Sequence, residues 1–115
     1  MSHDIKKISK IIDEILTYFM YTYHAKHAEV SMDQLETAYH ISFFFQNITV
    51  PEKELEMLRK NLGIKRNAEL EDYYWQLTGE SEDSNELSLV AMMTDSVDIT
   101  YIDHTLTIEI IRKVS

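Results

Sequence analysis

No cysteine occurs in the chain. That excludes a disulfide framework, a thiolate nucleophile and a zinc–thiolate site. Glycine is scarce: only Gly63 and Gly79 occur in 115 residues. Neither lies in a pattern of the kind whose bare backbone cradles phosphates. Proline occurs once, at Pro51, so no proline-rich linker divides the sequence. Positive charge is outnumbered, and the formal net charge is −9. Nucleic acid and anionic membrane surfaces are therefore expected to be repelled. No apolar run approaches the ~20 residues that cross a bilayer. The opening MSHDIKKISKII has neither the uninterrupted apolar stretch nor the small-residue cleavage site of a signal peptide. A cytoplasmic protein of bacterial type is expected.

What is present is an ordinary globular composition, 44 % hydrophobic, and enough length for one packed domain over residues 1–115. Residues 3 to about 27 read as a long amphipathic helix. Ile5, Ile8, Ile12, Ile15, Phe19 and Tyr23 recur at steps of three and four, and Ile11, Leu16 and Met20 widen the stripe. From Ala28 to Leu35 the pattern changes to alternation, and a turn is expected near residues 36–38. Tyr39, Ile41, Phe43 and Phe45 then alternate inward in a second strand rich in aromatic residues.

Thr49-Val50-Pro51-Glu52 has the spelling of a capping box, with Thr49 as N-cap and Glu52 reaching back. The helix it opens is expected to run to about Asn61, with Leu55, Leu58 and Leu62 inward and Gly63 as a left-handed stop. Asn67 opens a short helix through Leu77, followed by the acidic loop GESEDSNE. Asp83 and Glu86 form a second capping-box spelling before a helix through about Thr94. The final stretch contains two alternating runs, Val97-Ile99-Tyr101 and Leu106-Ile108-Ile110, around an Asp103-His104 hairpin turn. Paired strands with helices between them predict an α+β two-layer sandwich, its helices packed on one face of a mixed, mostly antiparallel sheet.

With that order in view, three segments resemble the histidine-kinase-like ATPases, the GHKL or Bergerat-fold superfamily. DEILTYFMYTYHAKHAEVSM resembles the family's E-L-x-x-N-A-x-x-H helix and the strand after it. ISFFFQNITVPEKELEML resembles I-x-V-x-D-N-G-x-G-I-P-x-x-x-L. SNELSLVAMMTDSVDITYIDHTLTIEIIRK resembles the G-x-G-L-x-L-V segment with its following hairpin. The likeness spans nearly the whole chain in the right order and rests on apolar rhythm, on Pro51 and on the run from Leu87 to Val90.

The resemblance implies an ATP site, but its chemical letters are missing. Glu14 stands where the family's helix glutamate handles water, while Tyr18 stands where an asparagine binds magnesium, an ion that wants hard oxygen ligands. Phe45 replaces the adenine-reading aspartate, and a phenyl ring accepts no hydrogen bond from an amine. Asn47 and Thr49 replace two loop glycines. Ser84 and Glu86 replace the phosphate-facing glycines, and a glutamate there repels a triphosphate. The family's ATP lid falls on residues 63–83, here an aromatic helix and an acidic loop. No cofactor is expected, and ATP binding is not expected.

Several other constellations invite functional readings. His24 and His27 stand one helical turn apart, a spacing that can hold zinc; the plainer reading is two histidines at the negative end of a helix. No metal site is expected. Lys6, Lys7 and Lys10, and Lys65 with Arg66, read as solvated basic faces. Met92 and Met93 read as core. Tyr73, Tyr74 and Trp75 are three consecutive rings that one helix cannot bury on one side, which makes them candidates for a protein interface. Tyr18, Tyr21 and Tyr39 are candidates for a similar patch. The reading that follows is a non-catalytic regulatory module that binds a protein partner or itself. Two alternatives are a nucleotide-binding ATPase or anti-sigma-like kinase with a rebuilt pocket, and a small-ligand binder with an aromatic pocket lined by Phe45.

Overall fold

Two hairpins make the sheet. A computed structural model describes residues 4–63, 66, 69, 71 and 87–114. Within them lie α1 (Asp4–Thr22), β1 (His27–Gln34), β2 (Ala38–Gln46), α2 (Glu52–Leu62), α3 (Leu87–Met92), β3 (Ser96–Ile102) and β4 (Thr105–Lys113). The strands stand in the order β1-β2-β4-β3, and every adjacent pair is antiparallel. The architecture is therefore α+β, with helices against a four-stranded sheet. The mixed sheet expected from the sequence is corrected: each hairpin joins its own strands by a tight turn, and the two hairpins meet antiparallel through β2 and β4. No helix among the described residues is long and apolar enough to cross a membrane.

The alternation read from the sequence chooses the buried face. Tyr39, Ile41, Phe43 and Phe45 of β2, Leu106, Ile108 and Ile110 of β4, and Ile99 of β3 are all buried. Cross-strand pairing puts them on one face, as in Phe43 opposite Ile108 and Ile108 opposite Ile99. The same side receives Ile8, Ile11, Ile15 and Phe19 of α1, Leu55, Leu58 and Leu62 of α2, and Leu89 and Val90 of α3, in one core cluster. The β3–β4 turn is the expected one. Asp103 and His104 both have positive φ, 50° and 59°, as a two-residue hairpin turn of this hand requires.

Four local expectations change. α1 stops at Thr22 rather than near residue 27. The amide of Tyr23 still donates to the Phe19 carbonyl, but His24 then turns left-handed at φ 53° and breaks the helical path. Ile5, placed on the inward stripe, is 55 % exposed; the buried stripe rotates toward Asp4, Lys7 and Glu14 instead. The capping box does not form, because Pro51 rather than Thr49 is the N-cap of α2 and its carbonyl accepts the Leu55 amide. Gly63 is not left-handed, with φ −85°. Its value is room, since a Cβ there would lie 2.9 Å from the Arg59 carbonyl oxygen.

Candidate functional site

The segment between β2 and α2, residues 47–51, is closed by its own residues. Phe45 leaves β2 pointing inward and is fully buried. Its ring lies 5.3 Å from that of Phe19 on α1 and 6.4 Å from that of Phe43, close enough for favourable aromatic packing. Asn47 then turns left-handed, at φ 55°. Asparagine tolerates that conformation better than most residues, so the turn keeps a glycine-like backbone without a glycine. The turn sends Ile48 and Val50 back into the core, where both are buried.

Tyr101 of β3 fastens this segment. Its hydroxyl donates to the Ile48 carbonyl at 2.9 Å and accepts the Val50 amide at 3.2 Å. The Ile48 amide donates to the carbonyl of His104 in the β3–β4 turn. Backbone groups that a ligand loop would present to its ligand are thus spent within the protein. The exposed Thr49 hydroxyl approaches His104 Nδ1 at 3.4 Å, and the Tyr101 hydroxyl approaches the same nitrogen at 3.5 Å. Both distances are long for hydrogen bonds.

Glu14 and Tyr18, two further positions singled out in the sequence, lie on α1. Glu14 is buried and pairs with Lys10 at 2.8 Å, while its Oε2 atom has no hydrogen-bond partner. Tyr18 is half-buried and packs edge-on against Phe19 and Tyr23. The Tyr23 hydroxyl donates to Glu54 of α2 at 2.6 Å. Burial first, and then that hydrogen bond, push its ionisation above the ordinary tyrosine range.

The most concentrated chemistry lies elsewhere, around Arg112. This arginine is fully buried at the end of β4, and five contacts use all of its guanidinium N–H groups. Nε and Nη2 donate to one oxygen of Asp4 at 3.2 and 2.8 Å. Nη1 and Nη2 donate to the two oxygens of Glu71, each at 3.1 Å. Nη1 also donates to the Met93 carbonyl at 2.7 Å. Glu71 further accepts from Lys7 at 2.6 Å and from Arg66 at 2.9 Å, and Arg66 reaches Asp95 at 2.8 Å. Three cations thus meet three carboxylates. Burial pushes the Glu71 carboxyl up, but hydrogen bonds from Arg112 and Lys7 and the charges of Arg112 and Arg66 outweigh it, holding the group below its usual range. Burial likewise opposes the charge on Arg112, and Glu71 and Asp4 restore it. The cluster ties α1, the helical residue Glu71 and β4 to one another through the described residues.

Other predicted positions separate. Lys7 and Lys10 are buried rather than solvated, and Arg66 is half-buried in the same cluster; their long stems cross apolar surface and their heads find carboxylates. The His24–His27 spacing is not helical, because His24 lies in the link after α1 and His27 opens β1, where it contacts Glu29 at 2.9 Å. No group of three potential metal ligands is present among the described residues. The tyrosine patch does not assemble: Tyr39 is buried on the core face while Tyr21 is 78 % exposed. Met93 is buried and Met92 half-buried. Tyr73, Tyr74, Trp75, Ser84 and Glu86 lie outside the described residues, as do Lys65, the Asn67 and Asp83 caps and the acidic loop.

Sequence reasoning missed Tyr101 and Arg112. Arg112 carried a usable signal: it continues the inward alternation of Leu106, Ile108 and Ile110. An arginine on an inward phase calls for buried carboxylates, and Asp4 and Glu14 share the inward phase of α1 with Ile8 and Ile11. No protein-family model and no curated protein matches this chain.

Proposed function

We propose that the chain is a non-catalytic, cytoplasmic protein-interaction module built on a histidine-kinase-like ATPase scaffold whose nucleotide pocket has been filled from within. The observation that carries this reading is the buried Phe45–Phe19 contact, at 5.3 Å, in the position where the resembled family keeps a carboxylate for adenine. A purine needs a slot between α1 and the turn after β2, and side chains occupy that space. The Tyr101 hydroxyl holds the turn shut against it. An acidic surface, formally −9, adds repulsion toward a triphosphate. With no pocket to work, the scaffold acts through its surfaces, on a protein partner or on a second copy.

A rebuilt nucleotide site is the second reading, and one atom favours it. Glu14 Oε2 is a buried acceptor without a hydrogen-bond partner, the kind of group a ligand or water can satisfy. Calorimetric titration and thermal shift with Mg-ATP separate the two. The interaction reading predicts no heat of binding and no shift in melting temperature at millimolar nucleotide. Saturable, magnesium-dependent binding refutes it and restores the nucleotide site.

A further inference from the structure

β1 is an edge strand with its outer row of backbone groups open. The Leu35 amide donates to the Ala38 carbonyl at 2.8 Å across the β1–β2 turn. Hydrogen-bonded and non-hydrogen-bonded pairs alternate from there along an antiparallel ladder. Asp33, Ser31 and Glu29 therefore bond to β2, and Ala28, Val30, Met32 and Gln34 direct their N–H and C=O groups away from the sheet. None of the described residues bonds to that outer row. The opposite edge is guarded: Arg59 of α2 donates to the Ile99 carbonyl of β3 at 3.0 Å. Val30 and Met32 stand on the core face of the sheet, opposite Phe43 and Ile41, yet remain 38 % and 40 % exposed. The apolar face thus runs out to the β1 edge only partly covered.

From this we infer that β1 pairs with β1 of a second copy, antiparallel across a two-fold axis through Val30. This deepens the interaction reading above and rests on it. The charges of β1 select both the occupant and the register. With Val30 on the axis, Ala28 faces Met32 of the second copy on the core side. On the other side His27 faces Asp33, a donor against an acceptor, and Glu29 faces Ser31. Moving the axis to Ser31 sets Glu29 against Asp33 twice, and moving it to Glu29 sets that glutamate against itself; like charges directly opposite destabilise a strand pair. Moving the axis to Met32 shortens the paired stretch and sets Val30 against Gln34. Of these four registers, only that of Val30 extends the apolar face across the axis with no like charges opposed. Its outward pairs, 28 with 32 and 30 with 30, exchange about six backbone hydrogen bonds in all.

The lack of cysteine makes the test clean. Sedimentation velocity of the full chain, from low to high micromolar, is expected to show a concentration-dependent species of twice the 13.6 kDa monomer mass. Val30→Pro removes an N–H that points outward rather than one bonded to β2, at a position where an edge strand tolerates proline. It is expected to leave the circular dichroism unchanged and weaken dimerisation at least tenfold. Single-cysteine variants read the register without relying on that substitution. Facing residues of a hydrogen-bonded pair lie ~5.5 Å apart at Cα, within disulfide reach. On mild oxidation Val30→Cys is expected to cross-link to a disulfide dimer much faster than Ser31→Cys. A wild type that stays monomeric throughout the range, or Ser31→Cys cross-linking faster, overturns the proposal. Mg-ATP titration of the same samples keeps the two readings apart: a monomer that ignores nucleotide removes the β1 pairing alone, whereas nucleotide binding removes the interaction reading itself.

Discussion

Replacing Arg112 with methionine tests whether the buried ionic cluster holds the fold. Methionine keeps much of the arginine stem's volume and removes every donor. The loss comprises two contacts to Asp4, two to Glu71 and one to the Met93 carbonyl. Asp4 and Glu71 are each 2 % exposed, so water cannot replace the guanidinium without disrupting the packing. Asp4 loses its arginine altogether, while Glu71 keeps Lys7 and Arg66. Breaking a buried pair by removing one partner costs about 3–5 kcal/mol, and the carboxylate partly rescued by Lys7 and Arg66 argues for the lower half of that range. Against a total stability of about 5–15 kcal/mol, that is a large fraction. Urea unfolding followed by circular dichroism should show the midpoint fall by roughly 2 M. The companion variant carries Asp4→Leu and Glu71→Met as well. With Lys7→Met added, so that the buried ammonium does not lose Glu71, and with Arg66 keeping Asp95, it should recover much of the loss, since apolar replacement of a whole buried cluster is often neutral. The sign of the acid response follows from Glu71. Its carboxyl titrates below the usual range in the folded protein, so the stability it contributes is present above the unfolded value and is lost as pH falls through the folded one. Glu71→Gln should therefore flatten the decline of stability below about pH 4. A midpoint shift equivalent to less than about 1 kcal/mol for Arg112→Met refutes the argument, because it would mean that the carboxylates find other partners or that the cluster is wet.

Two smaller perturbations address the closed turn. Phe45→Ala removes a fully buried ring and its contact with Phe19; it should cost about 3–5 kcal/mol in chemical unfolding, and a loss below about 1 kcal/mol would show the ring to be dispensable filling. Tyr101→Phe leaves the ring and removes the hydroxyl that joins Ile48 to Val50. It should cost about 1–3 kcal/mol and speed hydrogen exchange at the Val50 amide, whereas unchanged protection there would assign the closure of the turn to packing alone.

The apolar framework could be read from the sequence because periodicity is a local quantity. Residues 39, 41, 43 and 45 alternate, so they share a face wherever the strand lies, and the same holds for 106, 108 and 110. The Asp103-His104 turn was legible for the same reason, since the hairpin needs two residues that accept a left-handed backbone. Failures came where the outcome depends on a distant partner. Thr49 has the letters of an N-cap, but Tyr101 and His104, some fifty positions away, fix the turn around it and the N-cap is Pro51. Lys7 and Lys10 read as a basic face because nothing local reveals that Glu71 will cover one of them. Ile5 obeys the helical period and is still exposed, because Asp4 must turn inward to meet Arg112 and the helix cannot bury both flanks.

The site and the ionic cluster can be understood together. In a scaffold that holds a ligand between α1 and the turn after β2, part of the interior is a cavity, and its polar groups await the ligand. Here the same space is apolar and filled by Phe19 and Phe45, with Ile48 and Val50 behind them. Most of the buried charge among the described residues is gathered at the other end of α1, where Arg112 and Lys7 meet Asp4 and Glu71; Glu14, paired with Lys10, stands apart from it. Packing of this kind resists small displacements, because each buried ring or charge is fixed by partners on separate elements. On the interaction reading proposed above, the protein acts through what it leaves incomplete at its surface. Among the described strands that is β1, whose outer backbone row is open and whose core-face Val30 and Met32 are only partly covered, whereas Arg59 guards the β3 edge. If occupancy of the β1 edge is how the module works, a filled pocket and an open edge belong to the same design: rigidity in the core keeps the pairing strand straight and in register for the second copy.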